Sequence, residues 1–331
     1  MIVVHVKEKK RATLAQAVAN KIQCPVIPVS VDHFADGETH IPHFNSRAIT
    51  GQNVILVHQF FSAQEHINLS QNATTNHPIN QQILDLLILI KYLKACRAQR
   101  ITTLLPYMPY ARQDQTIERS SQSILSFLSS FLEQSGVNTV LCSDIHSPHA
   151  HKFFNIPFES IGLEFFWANY IKTNIVKLDT QNACIATPDL GGKGRAQTIA
   201  QILGLPLIVA EKKRVITNHA IALKITGDVQ GKKVILVDDI LATGRTAITT
   251  CDLLKEKGAK EIIGCFSHAV FAPGTSSRLI QSSFDKIYIA DTVLIGLTPE
   301  MAQKIHAVSV YDFLSTHVHK FLNIDASTSS A

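Results

Sequence analysis

The stretch that most constrains this chain is Lys232–Thr246, which reads Lys-Lys-Val-Ile-Leu-Val-Asp-Asp-Ile-Leu-Ala-Thr-Gly-Arg-Thr. Val234–Val237 is a short apolar, mostly β-branched run, as expected of a strand buried on both faces of a parallel sheet. Two carboxylates, Asp238 and Asp239, follow at once. Thr243-Gly244-Arg245-Thr246 then precedes a helical pattern that runs to about Lys257. Ligands of open α/β sheets bind beyond the carboxyl ends of the strands. A hydroxyl- and glycine-bearing turn into a helix offers a phosphate free backbone N–H groups and a positive dipole end. Carboxylates beside it can accept from sugar hydroxyls or hold Mg²⁺. An isolated Asp pair is more often a polar strand end, and an isolated threonine a helix cap. The ordered string favours a sugar-phosphate loop instead.

The same alternation of apolar runs and amphipathic segments covers almost the whole chain, which argues α/β. Strands are expected at Ile2–Val6, Val26–Val31, Val54–His58, Ile101–Pro106 and Val137–Cys142, then at Cys184–Thr187, Leu207–Ala210, Ile221–Thr226, Val234–Val237, Ile262–Phe266 and Ile287–Ala290. Helices are expected at Thr13–Ile22, Asn80–Ala95, Gln122–Gln134, Leu163–Thr173, Arg195–Leu203 and Ala247–Lys257. Each half thus reads as a small doubly wound, mostly parallel sheet. The expected domains are 1–158 and 159–322, with a frayed tail at 323–331. Ser62–Asn80, rich in Asn, Gln, Ser and Thr, reads as a solvated loop or insertion.

Composition narrows the function classes. The six cysteines are scattered without C-x-x-C or metal-ligand spacing, as in a cytoplasmic protein with reduced, mostly buried thiols. The apolar patch Ile83–Ile90 is too short to span a bilayer, and no secretion signal opens the chain, so no membrane association is expected. A net charge of +5, from 31 basic and 26 acidic residues, is weak for a nucleic-acid binder. No G-x-x-x-x-G-K-[ST] loop occurs.

The Lys232–Thr246 string resembles the phosphoribosyl-diphosphate loop of type I phosphoribosyltransferases and of ribose-phosphate pyrophosphokinases, and by itself does not choose between them. Five further stretches resemble the pyrophosphokinases. They are Phe34-Ala35-Asp36-Gly37-Glu38; Pro106-Tyr107-Met108-Pro109-Tyr110-Ala111-Arg112-Gln113-Asp114; Ser143-Asp144-Ile145-His146 with Phe153-Phe154-Asn155-Ile156-Pro157; Thr187-Pro188-Asp189-Leu190-Gly191-Gly192-Lys193-Gly194-Arg195-Ala196; and Glu211-Lys212-Lys213-Arg214. Read alone, each is ordinary: a turn, an aromatic loop, a strand-end histidine, a glycine turn and a solvated charge run. The resemblance covers the chain to about Leu322 and implies two tandem doubly wound, mostly parallel sheets of the type I phosphoribosyltransferase kind.

It also implies roles. Phe34, Asp36 and Glu38 reach the adenine of ATP on a neighbouring subunit, and Arg112 and Gln113 contact ATP. His146 and Asp189 help hold Mg²⁺. Lys212 and Arg214, opening a flexible loop, meet the charge on the transferring group. Asp238 and Asp239 orient the ribose hydroxyls of ribose 5-phosphate, and Thr243, Gly244, Arg245 and Thr246 seat its phosphate. The implied reaction moves a pyrophosphoryl group from ATP to the 1-hydroxyl of ribose 5-phosphate. The implied assembly is a homo-oligomer, dimer or hexamer.

The chain departs from the family pattern at Ala242, where an Asp is usual, and at Arg245, where a Gly is usual. Gln115 and Thr50 stand where arginines are usual, and Thr116–Ser123 keeps only Arg119 of several basic residues near a regulatory phosphate and ADP site. A weak or absent response to inorganic phosphate and ADP is therefore expected. A non-catalytic paralogue and a phosphoribosyltransferase remain as alternatives.

Overall fold

In the computed structural model the chain is described apart from residues 8–12, 43–45, 63–77, 115–122, 177–181, 215–220 and 329–331. Of 211–214, 221–223 and 324–328 the backbone alone is described. By its internal contacts the chain divides into two units. One holds Met1–Phe61, Leu69–Ile161 and Val310–Ala331, the other Ser62–Asn68 and Gly162–Ser309.

The first unit begins β1 (Ile2–Val6), α1 (Leu14–Ile22), β2 (Val26–Val29), a small antiparallel hairpin of β3 (Asp32–His33) and β4 (Thr39–His40), and β5 (Asn53–Val57). It continues α2 (Ile79–Ala95), β6 (Arg100–Leu105), α3 (Ile124–Ser135), β7 (Thr139–Ser143) and β8 (Phe158–Ile161). Six strands form a parallel sheet in the order β2-β1-β5-β6-β7-β8. Local chemistry sets the helix ends. The Thr13 hydroxyl caps α1 by accepting from the Gln16 N–H at 3.2 Å, and Ser123 and Ser126 form a reciprocal capping box on α3.

The second unit runs α4 (Glu164–Tyr170), which continues as a π-helical stretch over Ile171–Val176, then β9 (Ala183–Thr187), α5 (Lys193–Leu203), β10 (Leu207–Arg214) and β11 (Ile221–Thr226). There follow β12 (Lys233–Ile240), α6 (Arg245–Glu256), β13 (Glu261–His268), α7 (Thr275–Gln281), β14 (Lys286–Ala290) and β15 (Ile305–Val308). Seven strands take the order β11-β10-β9-β12-β13-β14-β15, all parallel except β10 with β11. Val234–Val237 and the whole of β9 are buried, as double-sided coverage by helices requires. The helix after β15 is α8 (Tyr311–Thr328).

The two sheets share a winding rule. Each starts on an inner strand (β1 or β9), steps outward on one side, then returns to that strand's other flank (β5 or β12). The switch points, where crevices open at the carboxyl edge of such sheets, therefore lie between β1 and β5 and between β9 and β12.

Three sequence expectations change here. The division falls between Ile161 and Gly162, and Val310–Ala331 joins the first unit instead of extending the second. In that unit Leu314 and Val318 are buried, and Asp312 pairs with Lys21 of α1 at 3.8 Å. The tail expected to fray from residue 323 is helical as far as Thr328. The run Glu211–Arg214, read as a loop after its strand, is the second half of β10, because it pairs with β11 from Glu211↔Lys224 to Arg214↔Ile221.

Candidate functional site

At the β9–β12 switch point, β12 ends in Asp238 and Asp239, the latter only 3% exposed. Each carboxylate accepts from the next backbone N–H: Asp239 N–H to Asp238 Oδ1 at 3.0 Å, and Ile240 N–H to Asp239 Oδ1 at 2.9 Å. These short bonds turn the side chains back along the strand end. The end of β9 closes in from the other side. There Asp189 Oδ1 accepts from the Gly192 N–H at 3.0 Å, which tightens the loop leading into α5. A Cβ built on Gly192 would stand 2.4 Å from the Thr187 hydroxyl, so the loop can pack against the end of β9 there because that residue is glycine.

The electrostatics are unbalanced. The Asp238 carboxyl is held well above the usual range, first by burial, then by the adjacent Asp239 carboxylate and a hydrogen bond with it, then by Asp189. The Arg195 guanidinium pulls the other way. Arg195, in the first turn of α5, reaches Asp239 Oδ2 at 3.6 Å, with both side chains nearly buried. Arg195 stands inside the fourth motif yet carries no expected role. The signal available in sequence was its helical offset from the glycines, which puts it in the first turn of α5, beside the strand ends.

Beyond Asp239 the chain runs Leu241-Ala242-Thr243 into Gly244, the residue before α6, at φ +73°, a left-handed conformation suited to glycine. Thr243, Arg245 and Thr246 are exposed, while Leu241, Gly244 and Ala247 are buried. Among the described residues no side chain caps α6, and no acid lies in its first turn. The carbonyls of the loop turn toward α7. The Ala242 carbonyl accepts from the Ala272 N–H at 3.0 Å and the Thr275 hydroxyl at 2.8 Å, and the Thr243 carbonyl accepts from Arg278 Nε at 3.2 Å. α6 starts at Arg245, two residues before the expected Ala247.

Lys212 and Arg214 belong to the same unit. Their backbone lies in β10 opposite Leu223 and Ile221, and their side chains are outside the described residues.

The first unit carries the remaining expected residues in three separate places. The turn of the β3–β4 hairpin is closed by Phe34 N–H to Glu38 O at 2.9 Å and Glu38 N–H to Asp36 Oδ1 at 3.1 Å. Phe34 is 55% exposed, and Asp36 and Glu38 are exposed beside it. The hairpin is tied to α2 through Asp85, which is buried. One oxygen of Asp85 takes bonds from the Thr39 hydroxyl at 2.6 Å, Gln81 Nε2 at 3.0 Å and His33 Nε2 at 3.0 Å. Arg112 and Gln113 are exposed on the loop after β6, over a buried base of Tyr107, Met108 and Ala111. His146 is exposed three residues past β7, where the Ile145 N–H donates to the Ser160 hydroxyl at 3.1 Å. Gln115, Thr116–Ser120 and Arg119, which bear on the expected regulation, lie outside the described residues, as does most of the Ser62–Asn80 segment.

A parallel sheet whose switch-point strand ends in two acidic residues, and opens through a glycine turn onto an uncapped helix, defines a phosphoribosyltransferase-type domain. Residues 155–291 match the phosphoribosyl transferase domain, and residues 2–136 match the N-terminal domain of ribose phosphate pyrophosphokinase. The ribose-phosphate pyrophosphokinase of Porphyromonas gingivalis is 30% identical over 315 residues, covering 95% of this chain and 93% of that one. That of Campylobacter jejuni is 30% identical over 304 residues, covering 89% and 92%. The solved phosphoribosylpyrophosphate synthetase of Mycobacterium smegmatis superposes with a TM-score of 0.79 at 25% identity, covering 97% of this chain and 99% of its own. The chain belongs to the ribose-phosphate pyrophosphokinase family, an enzyme family.

Among the described residues no helix is long and apolar enough to cross a membrane. All six cysteines are free. Cys142, Cys184, Cys251 and Cys265 are buried, and burial pushes the Cys142 thiol up to about 12.

Proposed function

We propose that this chain transfers the pyrophosphoryl group of ATP to the 1-hydroxyl of ribose 5-phosphate, yielding phosphoribosyl diphosphate and AMP in the cytoplasm as a homo-oligomer. The observation that carries this reading is the pairing, at one switch point, of Asp238 and Asp239 with the uncapped α6 loop. Sugar hydroxyls donate to carboxylates, and a phosphate monoester takes backbone N–H groups at a helix start. A pentose with a terminal phosphate presents both groups at once.

In this reading Thr243, Gly244, Arg245 and Thr246 receive the 5-phosphate, while Asp238 and Asp239 fix the ribose hydroxyls. Phe34, Asp36, Glu38, Arg112 and Gln113 serve ATP. Arg112 can stack on a base or grip a phosphate with two parallel bonds. Lys212 and Arg214 meet the negative charge that grows on the leaving AMP. Among the described residues no group of three or more His, Cys, Asp or Glu has metal-binding geometry. Mg²⁺ commonly takes one or two carboxylates and completes its shell with water and substrate phosphates. The excess of carboxylate over cation around Asp238 suits such an ion. Asp189, beside Asp238, is offered to it, and the family resemblance adds His146. When bound, Mg²⁺ neutralises phosphate charge and polarises the transferring phosphorus. Pyrophosphoryl transfer otherwise calls on positioning more than covalent help.

The test is to incubate the pure protein with ATP, Mg²⁺ and ribose 5-phosphate and to measure AMP and phosphoribosyl diphosphate. Equal amounts of both, abolished by Lys212→Ala, are expected. Binding of either substrate without turnover by the wild type would instead select the non-catalytic paralogue.

A further inference from the structure

Ala242 brings no polar side chain to the loop, so other groups must shape the turn. The hydrogen bonds identify them. Both peptide carbonyls that precede Gly244 are held by α7 and the loop before it: that of Ala242 by the Thr275 hydroxyl and the Ala272 N–H, that of Thr243 by Arg278. The peptide unit is planar, and this chain has no cis bond among its described residues, so each N–H points opposite its own carbonyl. Anchoring the carbonyls of residues 242 and 243 on α7 therefore turns the N–H groups of Thr243 and Gly244 away from α7. Those two N–H groups, and those of Thr246 and Ala247, donate to no described residue. Successive backbone donors aimed into one concavity form an anion nest.

Arg278 does more than hold a carbonyl. Its guanidinium also donates to the Thr275 hydroxyl at 3.0 Å and the Pro273 carbonyl at 3.5 Å, so all three acceptors are neutral. It forms no ion pair among the described residues. Its donors are thus spent on fixing the loop and the start of α7. Thr275 is wholly buried and links the two carbonyl anchors into one unit.

We propose that Arg278 and Thr275 are positioning residues for the 5-phosphate of ribose 5-phosphate, acting through the carbonyls of Thr243 and Ala242. This rests on the functional reading above only for the identity of the sugar phosphate; the nest and its anchor concern any phosphate monoester. The consequence for this chain is that the loop tolerates Ala242 because its shape is imposed from outside, by a helix about 35 residues downstream.

The experiment combines kinetics with calorimetric binding on the full chain, using ribose 5-phosphate, ribose and inorganic phosphate as probes. Arg278→Gln is expected to raise the KM for ribose 5-phosphate about tenfold, with the KM for ATP unmoved and kcat falling far less than KM rises. Calorimetry should show the same loss for ribose 5-phosphate and for inorganic phosphate, and none for ribose. Arg278→Lys keeps the charge but cannot fork to the Thr243 carbonyl and the Thr275 hydroxyl together, so it should not rescue. Thr275→Val should weaken binding several-fold while Thr275→Ser restores it, which keeps the test open if Arg278→Gln fails to fold. Unchanged phosphate binding in Arg278→Gln, or full rescue by Arg278→Lys, overturns the proposal. A wild type that binds ribose 5-phosphate through Arg278 but makes no product would sink the catalytic reading and leave this one standing.

Discussion

The two units wind their sheets by the same rule yet end the returning strand in opposite ways. β12 runs from Val237 into Asp238 and Asp239 and then into an open, uncapped helix start. β5 runs from Val57 into His58, Gln59 and Phe60, all of them buried. His58 lies edge-on to Phe60 with ring centroids 4.7 Å apart, and Phe60 meets Tyr107 at 6.5 Å. Neither ring nitrogen of His58 has a hydrogen-bond partner among the described residues. The same topological crevice is thus filled with rings in the first unit and lined with carboxylates and donors in the second. In the first unit the exposed polar residues have moved off the switch point, to the hairpin and to the loops after β6 and β7. Topology creates the crevice; the two or three residues after the strand decide whether anything can enter it.

The largest effect should come from the second crevice. Asp239→Asn, and Asp238→Asn beside it, are each expected to lower kcat/KM at least about a hundredfold, since each replaces a carboxyl oxygen that accepts from the ribose hydroxyls by an amide group. Stability should move the other way for Asp238. Its carboxyl titrates above the usual range, so the folded state binds more protons than the unfolded one, and stability falls as pH rises above about 4. Asp238→Asn should therefore raise the melting temperature at pH 8, and the gain should shrink as pH approaches 4. A variant that loses both activity and stability at pH 8 would contradict this account of the site.

The filled crevice gives the mirror image. Burial pushes the His58 imidazole down to about 4, with the Asp85 carboxylate pulling weakly the other way. An unfolded histidine near 6.5 takes up its proton first, so His58 costs nothing above that pH. The penalty grows as pH falls to about 4, reaching about 3 kcal/mol. His58→Leu keeps the apolar packing and cannot titrate. Chemical denaturation at pH 7.5 and pH 4 should show the wild type losing about 3 kcal/mol more than His58→Leu. Parallel losses would mean that His58 has a partner in solution.

How much of this could be read beforehand follows from what each element rests on. β1 was legible to the residue, and the central parallel strands nearly so, because strands buried on both faces are unbroken apolar runs; β11, at a sheet edge, was legible through its β-branched Ile221, Ile225 and Thr226. Those on the margins were not. β8 reads Phe-Glu-Ser-Ile at a sheet edge, β3 and β4 have two residues each, and α7 reads Thr-Ser-Ser-Arg-Leu-Ile-Gln, too short and polar for a helical stripe. Glu211–Arg214 looked like a solvated run because its strand character comes from pairing with β11, which composition does not encode. The site divides the same way. That Asp238, Asp239 and Gly244 lie together at one strand end and helix start was legible because they sit at fixed offsets along one segment. Thr275 and Arg278 meet the loop across tertiary contacts distant in sequence, and no spacing announces them; Arg195 was signalled only by its offset from the glycines of its own motif.

The smallest expected effect concerns what holds the first unit's exposed residues once they have left the crevice. Asp85 is nearly enclosed, and His33, Thr39 and Gln81 converge on it. Two of those groups belong to the hairpin whose tip bears Phe34, Asp36 and Glu38. Asp85→Ala would leave three polar side chains short of an acceptor, at a local cost of about 1–3 kcal/mol. That is enough to loosen a hairpin with only two residues per strand without unfolding a six-stranded sheet. The KM for ATP should rise about fivefold to tenfold while the KM for ribose 5-phosphate stays put, reversing the Arg278→Gln pattern. Hydrogen exchange supplies a readout free of catalysis: the amides of Phe34 and Gly37, bonded across the turn, should lose protection while those of β5 and β6 keep theirs. If instead both KM values rise together, the two units do not divide the substrates between them, and the contrast drawn between their crevices is structural only.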